Sequence, residues 1–407
     1  MELKPGYKQT EVGLIPEDWQ VSTLGAIGEC LIGLTYSPEN VKDHGLLVLR
    51  SSNVQDDRLD FEDNVYVNID VPERLRIKEG DILICVRNGS RALIGKCALI
   101  QKQAIGETFG AFMSVFRTPF SGYVAHQFRY DIIKRQIHAN IGATINQITN
   151  SDLNSFQIPL PPLPEQRAIA AALSDMDALL AGLDALIAKK RDLKQAAMQQ
   201  LLTGKQRLPG CSGSWEVRRL GDIADIVGGG TPSTSVHEYW DGGIAWCTPT
   251  DITGSSGKFL ERTARTISQA GMAESAAHLL PAGALLLCTR ATIGELKIAR
   301  FPICTNQGFK SLVCDTDSSS NFLYYKLLTL KSEFVEKASG STFLEISKKD
   351  VAALRLEIPP LPEQVAIAAV LSDMDAELAA LDARRDKTRA LKQGMMQELL
   401  TGRIRLL

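Results

Sequence analysis

Residues 161–208 read PPLPEQRAIAAALSDMDALLAGLDALIAKKRDLKQAAMQQLLTGKQRL, and residues 359–406 read PPLPEQVAIAAVLSDMDAELAALDARRDKTRALKQGMMQELLTGRIRL. Aligned without a gap at an offset of 198, the two stretches agree at 34 of 48 positions. Agreement of that extent marks an internal repeat rather than shared helical composition.

Each copy predicts one long helix. Pro164 and Pro362 stand at a first-turn position where proline loses no hydrogen bond, and Glu165 and Glu363 follow at the positive end of the helix. Gly204 and Gly402 supply the stops. Ile169, Leu173, Met176, Leu180, Leu183 and Ile187 alternate in steps of four and three, as do Ile367, Leu371, Met374, Leu378 and Leu381, which is the seam of a coiled coil. Beyond Ile187 the heptad fails. Lys190 and Lys194 fall on the seam, so the apolar line is expected to shift toward Leu193, Ala197 and Leu201. A helix of about 38 residues extends ~57 Å, longer than a compact domain needs, and reads as a spacer.

Composition sets wide bounds. The 407 residues are 44% hydrophobic, enough for two or three domains with ample cores, and no apolar run reaches the length of a membrane span. The opening MELKPGYKQTEVGLIPEDWQ has no hydrophobic signal region, so a cytoplasmic protein is expected. The eight cysteines form no CxxC pair and have no histidine partners at zinc-finger spacing, which reads as reduced, incidental thiols. Four segments emerge: 1–158, 159–208, 209–357 and 358–407, with formal charges of −3, +2, −1 and 0 that total the −2 of the chain. By charge, no segment is a basic nucleic-acid domain.

Segments 1–158 and 209–357 follow one mixed α/β plan. Trp19, Leu24 and Gly25 answer to Trp215, Leu220 and Gly221; VLRSSNV answers to WCTPTDI. GDILICV and its loop RNGSRALIG predict a hairpin before KCALI, and AGALLLCTRATIGELKIA repeats it. A helix is predicted over about 123–137 and another over 322–338. After them come IGATINQITNSDL and SGSTFLEISKKDV, in which Gly142 and Thr144 match Gly340 and Thr342. The scaffold repeats while its polar tips differ. Two divergent globular units beside two near-identical spacers describe a device that holds two different readers in equivalent positions. Because about ten residues join the first helix to the second unit, whose own end feeds the second helix, antiparallel packing of the helices is preferred. It implies a pseudo-twofold arrangement with one reader at each end of the rod.

With these residues assembled, the chain resembles the specificity subunit of Type I restriction-modification enzymes. The resemblance rests on the LPEQ-initiated helices ending LLTG, the GGTPS turn at 229–233, GDILICVR at 80–87, and Asn306-Gln307-Gly308-Phe309-Lys310, in duplicated order. It implies a noncatalytic subunit with two target-recognition domains, each reading one half of a bipartite, asymmetric double-stranded DNA target. It further implies that the helices set the gap and dock two modification subunits for adenine methylation. S-adenosylmethionine, ATP and Mg would then belong to modification and restriction subunits, with no cofactor or metal in this chain. Leu34-Thr35-Tyr36 departs from the pattern that Gly230-Thr231-Pro232 keeps.

Arginine can bond guanine bidentately, asparagine can bond adenine, and serine or threonine serves base or phosphate. On those grounds the candidate DNA contacts of the first unit are Arg50, Ser51, Asn53, Arg87, Asn88, Ser90 and Arg91. Those of the second are Thr231, Ser233, Thr248, Thr250, Asp251, Arg290 and Thr292. Thr144 and Asn146, with Thr342, are candidates for phosphate. The bland alternative for each is a turn that satisfies its own backbone or a solvated charge. Two other readings are disfavoured. A self-contained DNA-modifying enzyme has only Glu295-Leu296-Lys297 in its favour, and the chain has no P-loop, no glycine-rich methyl-donor loop and no Asn/Asp-Pro-Pro-aromatic motif. A coiled-coil adaptor explains the helices but not the duplicated variable tips.

Overall fold

The computed structural model describes residues 5–142, 146–339 and 344–406. The chain divides into two compact units, one of residues 1–184 with 384–407 and one of residues 185–383. Each unit combines one reader with the N-terminal half of one long helix and the C-terminal half of the other.

In the first unit a four-stranded antiparallel sheet is ordered Cys97–Leu99, Ile82–Cys85, Met113–Arg117, Glu29–Ile32. Its central strand ILIC is buried on both faces, which is why the sequence there is a continuous apolar run instead of an alternating one. Ile82 and Ile84 enter the core shared with the long helices, and Leu83 and Cys85 enter a second core. A second sheet lies over that second core, with Thr108–Phe109 parallel to Leu46–Leu49. The other unit repeats this division. Leu285 and Leu287 face the core that reaches the helices, while Leu286 and Cys288 face the other. There Cys304–Thr305 runs parallel to Trp240–Cys247.

Each reader is closed by pairing a strand near its start with the strand that feeds a long helix: Gln20–Thr23 with Gln157–Leu160, and Glu216–Arg219 with Arg355–Ile358. The long helices span Leu163–Leu201 and Leu361–Leu399, 39 residues each. They run antiparallel inside both units. Glu165 meets Arg405 and Asp177 meets Lys392 in the first; Lys190 meets Glu377 and Arg207 meets Glu363 in the second, so numbers rising along one helix meet numbers falling along the other.

The seam is largely as expected. Ile169, Leu173, Leu180, Leu183, Ile187, Ile367 and Leu371 are buried, and Met176, Met374, Leu378 and Leu381 are half-buried. Past Ile187 the expected shift holds at Leu201, which is buried, and at Ala197, which is half-buried against the same core, and fails only at Leu193, which is 46% exposed. The lysines keep the seam. Lys190 lies 2.6 Å from Glu377, and Lys194 pairs with Asp375, so an ion pair occupies the place where an apolar residue was expected. The predicted single helices are also each two. The first breaks at Tyr130, whose extended backbone separates Ser121–Arg129 from Asp131–Asn140; the second is divided into Ser320–Leu328 and Lys331–Lys337.

All eight cysteines are free. Burial pushes the Cys97 thiol up to about 11 and Cys288 up to about 12, far from thiolate chemistry at neutral pH. Among the described residues no helix is long and apolar enough to cross a membrane.

Candidate nucleic-acid interface

Four strand ends converge at one edge of each reader. In the first unit the Leu34 N–H donates to the Phe109 carbonyl at 2.7 Å, Gly110 to Leu49 at 3.0 Å, and Arg87 to Phe112 at 3.1 Å. In the second, Gly230 donates to Thr305 at 2.9 Å, Asn306 to Cys247 at 3.0 Å, and Thr289 to Gly308 at 2.8 Å. The approach demands glycine at its tightest point. A Cβ on Gly33 would lie 2.1 Å from the Gly110 carbonyl oxygen, and one on Gly229 would lie 2.0 Å from that of Asn306. The same backbone frame therefore presents two different sets of side chains.

In the first frame Asn88 is the hub. Its Nδ2 donates to Ser51 Oγ at 3.1 Å, its Oδ1 accepts the Ser90 N–H at 2.9 Å, and its own N–H donates to the Asn146 carbonyl at 3.3 Å. Asn146 donates from Nδ2 to the Gly89 carbonyl at 2.9 Å. Ser51, Asn88, Ser90 and Asn146 are thus brought together, with Ser90, Arg87 and Arg91 exposed at the rim. Arg91 donates to the His138 carbonyl at 3.3 Å, and the Arg87 guanidinium stands 5.0 Å from the centre of the Phe112 ring. Arg50 pairs with Asp63 at 2.9 Å.

Asn53 does not join the rim. It is fully buried: Oδ1 accepts the Arg50 N–H at 2.9 Å, and Nδ2 donates to the carbonyls of Asp60 and Asp63 at 3.0 and 3.1 Å. Its amide builds the turn and has no edge left for a base. The equivalent turn of the second unit uses the same device. The N–H and Oγ1 of Thr248 both donate to Asp251 Oδ2 at 2.7 Å, and Asp251 Oδ1 accepts the Ala264 N–H at 2.8 Å. Thr248 and Asp251 are a helix cap for Pro249–Thr253. All three residues thus spend these groups on their own turns, as the local-turn alternative describes.

The rest of the second frame is open. Thr231, Ser233 and Thr250 are exposed; Thr231 donates to Gln307 Oε1, and Ser233 bonds Ser235 at 2.8 Å. Arg290 and Thr292 flank Ala291, whose φ of +64° is uncommon outside glycine and turns the hairpin tip sharply. Arg290 also bridges Glu345 through the backbone. Thr144 and Thr342 lie outside the described residues.

Sequence reasoning missed Phe112 and Gln307. Phe112 is 55% exposed in the middle of the first frame, and Gln307 stands exposed on the equivalent segment of the second. Gln307 was signalled only by its place in the motif Asn306–Lys310, and Phe112 only by its position one strand end beyond the candidate tips. The acid–lysine triplet is absorbed structurally: Glu295 pairs with Lys331, and buried Lys297 donates to the Ser255 carbonyl at 2.9 Å and to that of Gly257.

A duplicated frame of invariant geometry and variable tips, joined to paired helices, defines a modular recognition protein. The sequence pattern of the Type I restriction modification DNA specificity domain matches residues 16–189 and again residues 213–388. The chain belongs to that family. Over almost its whole length it is similar to the putative type I restriction enzyme MjaX specificity subunit of Methanocaldococcus jannaschii, 26% identical over 434 residues, spanning 98% of this chain and 97% of the relative. The type I restriction enzyme EcoKI specificity subunit of Escherichia coli (strain K12) is 34% identical over 193 residues, 45% of this chain and 40% of that protein. Among solved structures, the S subunit of a type I restriction-modification system from M. genitalium shares the fold with a TM-score of 0.60 at 15% identity, covering 98% of both chains. A chain from work on complex assembly and conformational transition of the type I R-M system gives 0.59 at 22% identity, covering 96% of this chain and 99% of that one.

Proposed function

We propose that this chain is the DNA specificity subunit of a type I restriction-modification system, with each reader contacting one half of a bipartite target through its frame of four strand ends. The carrying observation is the repetition of that frame with different side chains on near-identical helices. The rim chemistry supports it: Arg87, Arg91, Asn88 and Ser90 in one frame, and Thr231, Ser233, Thr250, Arg290 and Gln307 in the other, match donors and acceptors on base edges and phosphates. The paired helices act as the ruler for the gap.

A net charge of −2 is low for a protein that must neutralise phosphates by itself, so partner subunits complete the clamp. Modification subunits dock on the helices, bring S-adenosylmethionine and methylate adenine; restriction subunits add ATP- and Mg-dependent cleavage. Leu179, Leu186 and Leu193 recur every seven residues on the first long helix and are 41%, 38% and 46% exposed, an apolar stripe suited to such docking.

Co-expression with a cognate modification subunit, followed by long-read mapping of methylated adenines, tests the reading. The expected result is one bipartite motif that disappears when this chain is omitted. Co-purification without site-directed methylation would leave only an adaptor.

A further inference from the structure

In both units the helix pair carries one ion pair at the same position of the repeat. Asp177 accepts Lys392 at 2.5 Å, and 198 residues along Asp375 accepts Lys194. Each aspartate also receives its reader, through different side chains. In the first unit Arg129, only 10% exposed, donates from Nη1 to Asp177 Oδ2 at 3.0 Å and from Nη2 to the Asp57 carbonyl at 2.7 Å, while Arg58 donates to the Asp177 carbonyl at 3.1 Å. Asp56 and Asp57 are held at φ of +46° and +62°, a region that non-glycine residues enter at a cost and that the surrounding contacts enforce.

The turn so held follows directly on the turn Ser51–Asn53, whose Ser51 meets Asn88 of the rim, through the two residues Val54–Gln55. In the second unit the segment leaving the capped turn Pro249–Thr253 ends at Lys258, which donates to Ser372 Oγ of the long helix at 2.6 Å and to Asn321 Oδ1 of the reader's own helix Ser320–Leu328 at 3.0 Å. Tyr325 donates from its hydroxyl to Asp375 at 2.6 Å. In the first unit the reader segment is thus tethered at Asp177 itself; in the second it is tethered by Lys258 at Ser372, three residues before Asp375, and Asp375 receives the reader's helix through Tyr325.

We propose that Asp177 and Asp375 are positioning residues that set where each reading turn stands along the helix pair, and through it the gap accepted between the two halves of the target. This rests on the function proposed above. One base pair of duplex rises about 3.4 Å, so a turn released by a few ångströms can be satisfied one base pair out of place. Charge-assisted bonds shielded from solvent hold against such slippage far better than exposed ion pairs do.

The test uses the complex with its modification subunits and three duplexes carrying the mapped half-targets, with the gap natural, one base pair shorter and one longer. In Asp177→Asn and Arg129→Met the preference for the natural gap is expected to fall by about tenfold, the worth of one charge-assisted bond, while Arg129→Lys retains most of it. Equal losses on all three duplexes would mean that the tether only stabilises the fold, and would overturn the inference. Should Arg129→Met fail to fold, Arg58→Met and Lys258→Met give the same readout from milder changes. A wild-type complex that methylates no bipartite site overturns the proposed function itself; a wild type that does, with gap preference unmoved in the variants, overturns only the tether.

Discussion

Arg405 grips the Glu165 carboxylate with two hydrogen bonds, 2.6 Å from Nε and 2.8 Å from Nη2, and Arg207 holds Glu363 in the same way at 2.5 and 2.6 Å. Glu165 is 2% exposed and also accepts the indole N–H of Trp19 at 2.9 Å. Glu165 and Asp18 together hold the Arg405 guanidinium above its already high ordinary pKa. The repeated PEQ and LTG-x-x-R ends of the helices are therefore two halves of one lock, closed between the start of one helix and the end of the other. Arg405→Met leaves a buried carboxylate without its cation, and unfolding in urea is expected to show a loss of about 3 kcal/mol. Glu165→Gln, which keeps the acceptor for Trp19, is expected to lose less.

His126 provides a pH test. It is 3% exposed, and burial, with the nearby Arg129 and Lys392 opposing charge on the ring and Asp177 favouring it, pushes its pKa down to about 3 from an ordinary 6.5. Below 6.5 the unfolded chain takes up a proton that the native chain refuses until about 3, so native stability falls as the pH drops through that window. The slope contributed by this one group approaches about 1.4 kcal/mol per pH unit. Thermal unfolding of His126→Gln between pH 7 and 5 is expected to be flatter than that of the parent protein by up to that slope.

Exposed and buried members of the first frame are expected to respond differently. Arg87→Ala and Phe112→Ala remove rim groups, and mapping of methylated adenines is expected to show relaxed discrimination at one or two positions of a single half-target, about 1–3 kcal/mol per position, with the melting temperature nearly unchanged. Asn53→Ala unbonds a turn with two donated carbonyl contacts and is expected to lower stability by about 2 kcal/mol, reducing methylation of all sequences alike.

The ruler is tested by length. Because Arg191 faces Asp382 across the helix pair, inserting four residues after Ile187 alone shifts Lys194 and Arg207 away from Asp375 and Glu363, and poor folding is expected. Four residues inserted after both Ile187 and Asp382 add about one turn to each helix and keep those pairs. The methylated motif is then expected to keep both half-sites and change its gap; an unchanged gap would sink the ruler.

Much of the architecture was readable along the chain. Proline, glutamate and glycine marked the ends of both long helices, and the four-three spacing from Ile169 to Ile187 marked their buried face. Lys194 stands on the seam as its spacing said, but its ion pair was not legible, because an apolar period carries no information about an aspartate on another helix, 181 positions away in sequence. That Asn53, Thr248 and Asp251 close their own turns was not legible, because a residue able to bond a base is equally able to cap a turn. Phe112 was missed for the converse reason, since an aromatic beside a strand is ordinarily core.

By itself the sequence determined that there are two readers, two spacer helices and a family to which they belong, because repetition, helical period and terminal signals are local properties of the chain. Only the tertiary structure decided which polar tips face outward and which close their own turns, and that each helix start is locked by an arginine beyond the other helix's end. The locks depend on partners 240 and 156 residues away, and the turns, though their bonds are short in sequence, on how far the surrounding fold buries them, because charge and hydrogen bonding are settled by what packs against a side chain.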